Sequence, residues 1–221
     1  SPSRGLGDVY KRQLGDVTDF KKLNKSEFEF ISGYSKVKLM FYRNDIFRIW
    51  LAQDGEYTNP AGNAIVVDYG KKNPSVSVSE NSRYYRFSTP ACVVRVYKKP
   101  LRFALYDKAD KKMIFEEKEP LSFGAKTYQT LKRGGKEYFY GGGMQQGRFS
   151  HGGTDLDISI TGWHEDQVSN PVPFYMSSNG YGVFRNTFAP GKYSFSGVGQ
   201  VAAEDLSLIH ISEPTRRTPI S

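Results

Sequence analysis

The chain has 221 residues and a formal net charge of +8 at pH 7, with 15 Tyr, 15 Phe, 22 Gly and one Cys. That length suits one domain, or one domain and the edge of another, and is enough to bury a core; no run of about twenty apolar residues is present, which excludes a membrane-spanning helix. One thiol, Cys92 in the apolar run ACVVRVY, excludes a disulfide framework or a cysteine metal site within the chain, and Lys and Arg are too dispersed to predict a nucleic-acid groove.

At the two ends, residues 3–13 read SRGLGDVYKRQ and residues 206–217 read LSLIHISEPTRR. Back-translation of DVYKRQ as GAT GTG TAT AAG AGA CAG gives the end of a library-preparation transposon. Back-translation of LSLIHISEP gives the reverse complement of the same element with its flank. Selection on a protein does not produce two peptides related in that way, so 1–13 and 206–221 are expected to be translated adapter without order. The domain is then 14–205, a piece of a longer gene. Part of the positive charge (Arg4, Lys11, Arg12, Arg216, Arg217) belongs to the ends.

Between the ends the apolar period is two. KVKLMFY places Val37, Leu39 and Phe41 on one face, and DIFRIWLA places Phe47, Ile49 and Leu51 on one face and Ile46, Arg48 and Trp50 on the other. The intervening RND is a turn signal, so residues 37–51 are predicted as a hairpin. SVSVS, RYYRFST, ACVVRVYKK, LRFALYD, KMIFEEK, TYQTLKR and KEYFYG follow as short predicted strands, with Gly134-Gly135 as a hairpin turn between the last two. The segment 141–153, GGGMQQGRFSHGG, reads as a long ordered loop. LDISI at 156–160 is strand-like, with Asp155 and Asp157 on its polar face. TGWHEDQVSN is another loop, and PVPFYMS, GYGVFRNT and KYSFS close the domain as strands. No window of eleven or more residues has helical periodicity, and no fixed repeat is visible. The expected fold is all-β, a large antiparallel two-sheet sandwich.

Three stretches carry a resemblance. They are residues 138–153 (YFYGGGMQQGRFSHGG), residues 170–195 (NPVPFYMSSNGYGVFRNTFAPGKYSF), and the pair VKLMFYRNDIFRIWL and VVRVYKKPLRFALYD. The order and spacing of Tyr140-Gly141-Gly142-Gly143 and of Pro173-Phe174-Tyr175 through Asn186 resemble the N-terminal domain of family 31 glycoside hydrolases, the α-glucosidase and α-xylosidase family. The resemblance implies a galactose-mutarotase-like β-sandwich followed by a (β/α)8 barrel. There, two aspartates about 5 Å apart perform retaining hydrolysis. None of that machinery falls in this chain, so no catalytic residue is expected here and no hydrolysis by this polypeptide alone. The partners implied are an α-linked glucoside or xyloside, met through the whole enzyme, and the barrel of the same parent chain. No cofactor and no metal is implied.

The family's N-terminal domain sends one loop over the barrel mouth, and chain order makes it TGWHEDQVSN. Trp163 is the candidate to stack on a pyranose face, and Glu165 and Asp166 are candidates to accept hydrogen bonds from sugar hydroxyls. Many family members carry an Asp in a Thr-Asp or Asn-x-Asp context there, and this chain has Trp163-His164-Glu165-Asp166 instead. Arg148 and His151, in the glycine-rich segment, are placed at the barrel interface or the pocket rim. Two other readings fit the sequence: a free-standing carbohydrate-binding sandwich with an aromatic platform, and a mutarotase-like epimerase, for which His151 with Glu165 is the one available acid/base pair.

Overall fold

The computed structural model describes residues 11–59, 72–145, 149–159, 170–187 and 189–205, and among these no α-helix occurs. Eighteen strands form four antiparallel sheets. A four-stranded sheet contains, in order, β2 (Asp19–Lys22), β3 (Glu27–Ser32), β4 (Ser35–Arg43) and β5 (Ile46–Ala52). A five-stranded sheet runs through β10 (Met113–Glu116), β9 (Leu101–Asp107), β8 (Cys92–Lys98), β7 (Tyr84–Ser88) and β6 (Ser77–Glu80). A six-stranded sheet orders β1 (Arg12–Gln13), β11 (Ser122–Phe123), β12 (Thr127–Lys132), β18 (Gln200–Asp205), β17 (Gly191–Ser194) and β14 (Asp155–Ile158). A three-stranded sheet places β13 (Phe139–Met144) and β16 (Tyr181–Phe184) on either side of β15 (Asn170–Ser177).

The period-two pattern sets the packing. In the β4–β5 hairpin, Val37 pairs with Leu51, Leu39 with Ile49 and Phe41 with Phe47, and all six side chains are buried. A strand whose alternate residues are apolar has one face that must leave water, and each Phe so buried contributes about 1.5–3 kcal/mol. The four-stranded sheet meets the five-stranded one through Phe28 against Phe87 (ring centroids 4.6 Å apart) and Phe20 against Tyr85 (4.5 Å). The three-stranded sheet meets the six-stranded one through Tyr175 against Tyr193 (5.1 Å). The result is a β-sandwich with one continuous core, in which two smaller sheets lie over two larger ones.

Glu117 joins the two larger sheets. Past β10 its backbone N–H donates to Phe103 O (2.9 Å), and it bridges to Leu131 in β12, while Lys118 N–H donates to Thr130 O (2.8 Å). One segment thus leaves the edge of the five-stranded sheet and enters pairing with the six-stranded one.

Three expectations are corrected. Gly134-Gly135 is not a hairpin turn between paired strands: β12 pairs with β18, and β13 with β15. A turn closed by Glu137 N–H donating to Gly134 O (3.3 Å) carries the chain from one sheet to another. The segment 141–153 is not loop throughout, because Gly141, Gly142, Gly143 and Met144 belong to β13. Arg12–Gln13, counted with the leading adapter, form β1 against Phe123 and Ser122. Leu14 is buried and its N–H donates to Leu121 O (2.9 Å), which lays the preceding backbone along the β11 edge whatever its side chains. Arg12 then reaches Asp54 at 2.8 Å. Strands β2, β3, β11 and β18 carry no expectation from the sequence.

Candidate functional site

The three consecutive glycines of β13 shape a groove. Gly141 lies opposite Tyr175 and Gly143 opposite Pro171, with a register shift between them. Gly141 and Gly143 have φ of 110° and 84°, which side chains rarely tolerate. A Cβ on Gly143 would lie 2.0 Å from Asn170 O, and one on Gly141 would lie 2.7 Å from Phe174 O. Only glycine lets the two backbones approach this closely while β13 bends. Beside the bend opens a groove of about 670 Å³, lined by Tyr140, Gly143, Phe149, His151, Met176 and Ser178 among others.

Apolar side chains gather around it. Tyr138, Met144, Phe149 and Val172 are four of the eight large hydrophobic residues exposed among the described residues, and Phe149 is 90% exposed. The Phe149 ring stands 5.3 Å from that of Tyr140. Exposed apolar side chains on and next to β13 and β15 are the composition of an interaction site more often than of a free surface.

His151 lies under the groove, 4% exposed, with its Nε2 2.8 Å from Gly141 O. A carbonyl can only accept, so Nε2 carries the proton. The His151 main chain donates to Phe139 O and accepts from Thr154 N–H and Oγ1, and its ring stacks on Phe195 at 6.2 Å. His151 therefore ties the bent strand to the loop that follows it and forms part of the groove's wall.

Behind the groove is a buried polar network that sequence reasoning missed. Ser177 Oγ donates to Glu137 Oε1, and Glu137 Oε2 accepts from Gly134 N–H at 3.1 Å. Tyr175, Tyr181, Arg185 and Asn186 are each 2% exposed or less. Burial, then the charges of Tyr175 and Glu137, push the Tyr181 phenol well above its ordinary range; burial, Tyr193 and Glu137 do the same to Tyr175. Both phenols stay neutral at physiological pH. The signal was parity: Glu137 shares a face with core Phe139, as Glu117 does with Phe115.

Glu117 is fully buried, and burial raises its carboxyl from 4.5 to about 7 despite hydrogen bonds from Gln129 and the Phe103 backbone. It has no route to a substrate. Asp155 and Asp157 are exposed on β14 while Leu156 and Ile158 are buried, the alternation expected of a polar strand face. Among the described residues no three His, Cys, Asp or Glu side chains converge as a metal site. Arg148, Trp163, Glu165 and Asp166 lie outside the described residues.

The fold and the groove define an antiparallel β-sandwich domain with an open, glycine-bent edge strand. Residues 36–193 match the glycosyl hydrolase 31 N-terminal galactose mutarotase-like domain, and the chain belongs to that family. A curated relative, Alpha-glucosidase 2 of Bacillus thermoamyloliquefaciens, is 26% identical over 189 residues, which are 83% of this chain and 23% of that protein. The GH31 dextranase of Flavobacterium johnsoniae, solved with glucose, superposes with a TM-score of 0.81 at 23% identity, covering 94% of this chain and 27% of that one. A GH31 α-xylosidase from a soil metagenome, solved with xylose, gives 0.71 at 19% identity over 90% of this chain and 32% of that one. At these identities the structural likeness speaks for the fold. The chain spans about a quarter to a third of the length of these relatives.

Proposed function

We propose that this chain is the non-catalytic N-terminal domain of a retaining α-glycosidase, packing on a (β/α)8 barrel through the face that carries the Tyr140–Phe149 groove and lending the loop at 162–170 to the sugar pocket. The observation that carries this reading is the concentration of exposed Tyr138, Met144, Phe149 and Val172 beside a glycine-bent strand, on a domain of this family. A docking face wants apolar contact with few charges at its centre, and that is the composition found there. In this reading Trp163 stacks on a pyranose ring and Glu165 and Asp166 accept from its hydroxyls. Arg148 sits at the rim, and His151 holds the docking face in shape from beneath. The bond-cleaving carboxylates are supplied by the barrel, and the substrate is an α-linked glucoside or xyloside.

The test is to extend the source gene past the codon for Asp205 and to assay the longer product. The expected result is a barrel with two aspartates at strand ends. The longer protein should hydrolyse an aryl α-glucoside or α-xyloside, and this chain alone should not. A stop codon soon after Asp205 overturns the reading in favour of a free-standing sugar-binding sandwich.

A further inference from the structure

We propose that the solvent face of the six-stranded sheet holds a second binding site, for a neutral pyranose, in the hollow between Tyr128, Thr130, Lys192 and Asp155. It shares no lining residue with the Tyr140–Phe149 groove.

Strand register builds the hollow. One outward row across the sheet runs Thr130, Ala202, Ser194, Asp155, and the next runs Tyr128, Glu204, Lys192, Asp157. Ala202 is the one member of these rows with nothing beyond Cβ, so the surface dips there between long neighbours. The hollow measures about 240 Å³, small enough to suit a single ring more than a chain. All of its walls stand on paired strands, so little ordering is needed when a ligand enters.

Its chemistry suits an uncharged polyol. Asp155 Oδ1 accepts from Ser194 Oγ (2.6 Å) and Ser196 Oγ (2.7 Å), and its other oxygen lies 3.0 Å from Lys192 Nζ. Glu204 Oε1 accepts from Lys126 Nζ at 3.0 Å. The carboxylates of Asp155, Asp157 and Glu204 stand with the ammoniums of Lys11, Lys126 and Lys192, which leaves no net charge to attract a phosphate or an amine. Acceptor and donor alternate, and a sugar's vicinal hydroxyls both donate and accept. Hydrogen bonds from Ser194 and Ser196, then Lys192, lower the Asp155 carboxyl to about 2, so it is an acceptor at any physiological pH. The side chains of Asp155, Lys192 and Glu204 are 38%, 41% and 31% exposed, which leaves them within reach of a ligand. Tyr128 supplies the aromatic wall of the hollow, with Lys11 Nζ over one ring face at 4.3 Å from its centroid.

The experiment is an amide NMR titration of the full chain with glucose and with xylose, and with inorganic phosphate as a charged control. Saturable shifts at Tyr128, Ser194 and Ala202 are expected, with Kd of about 1–10 mM. Tyr128→Ala and Ala202→Leu, the latter filling the hollow from a half-exposed position, should each weaken binding about tenfold or more. Amide spectra of both variants report whether the fold is kept; if Tyr128→Ala loses it, Ala202→Leu and the unaltered chain decide. Three results overturn the proposal: no saturable shift with either sugar up to about 100 mM, phosphate binding at the same residues as tightly as sugar, or sugar shifts confined to Tyr140, Phe149 and Met176.

Discussion

Glu117 Oε1 accepts a hydrogen bond from Gln129 Nε2 at 2.9 Å inside the core, while its other oxygen accepts from Phe103 N–H at 2.9 Å. The pair fastens the five-stranded sheet to the six-stranded one. Folding raises this carboxyl from 4.5 to about 7, so the native chain binds the extra proton between those values. Its contribution to stability is full below pH 4.5 and declines as the pH rises to about 7. Denaturant unfolding at steps across that window should show a loss of up to roughly 3 kcal/mol. Glu117→Gln should flatten the curve there. An equal slope in both proteins would show that another group titrates.

Asp155 has the opposite sign. Its folded value is lowered from 3.8 to about 2 by Ser194, Ser196 and Lys192, so its contribution is present above pH 3.8 and is lost as the pH falls through about 2. Because the side chain is 38% exposed, solvent screening keeps the effect small. Asp155→Asn should change stability at pH 7 by no more than about 1 kcal/mol and shallow the acid limb of the unfolding curve. Urea midpoints at pH 2 to 5 read this directly.

Gly143→Ala should destabilise strongly, because its Cβ meets Asn170 O at 2.0 Å and the backbone has φ of 84°. A cost of about 2–4 kcal/mol is expected from this backbone clash and the left-handed conformation together. Gly134→Ala, where an added Cβ meets nothing within 4 Å, is the control and should stay within about 0.5 kcal/mol. Similar midpoints for the two variants would mean that β13 does not need its bend.

His151→Ala removes the bond to Gly141 O and the stack on Phe195. The expected loss is about 1–3 kcal/mol, with Gly141 O left without that donor. Thermal unfolding followed by near-ultraviolet circular dichroism is the measurement. A neutral outcome would show that neither contact holds β13 to the loop that follows it.

The chain alone should bind an apolar fluorescent dye at the exposed face near Phe149. Phe149→Ser and Met144→Ser together should cut that fluorescence severalfold without moving the unfolding midpoint, since both residues are exposed. Unchanged dye binding would place the apolar surface elsewhere and weaken the docking reading.

Much of this architecture was legible because period two is a physical requirement of a half-buried strand. The β4–β5 hairpin and the strands from β6 to β10 follow from it. Where side chains carry no pattern, the sequence was silent. Gly141, Gly142 and Gly143 have nothing to alternate, so a strand read as a loop; pairing with β15 makes it a strand. Val201, Ala202 and Ala203 are too small to stand out, although β18 occupies an inner position of the six-stranded sheet. Glu117 and Glu137 sat in plain view at core parity with Phe115 and Phe139, and a charged residue there signals a hydrogen-bonded interior position. The pocket-loop residues Trp163, Glu165 and Asp166 remain a proposal that rests on chain order.

The position of β18 has a consequence for biosynthesis. Gln200–Asp205 slots between β12 and β17, with Lys132 paired to Gln200 and Ser194 to Ala202. A ribosome delivers this strand after both of its neighbours, so the growing polypeptide must carry two unpaired strand edges until the insertion is made. Such edges recruit foreign strands. The nascent domain is therefore most exposed to aggregation, and most in need of chaperone shielding, in the interval just before residues 200–205 leave the exit tunnel.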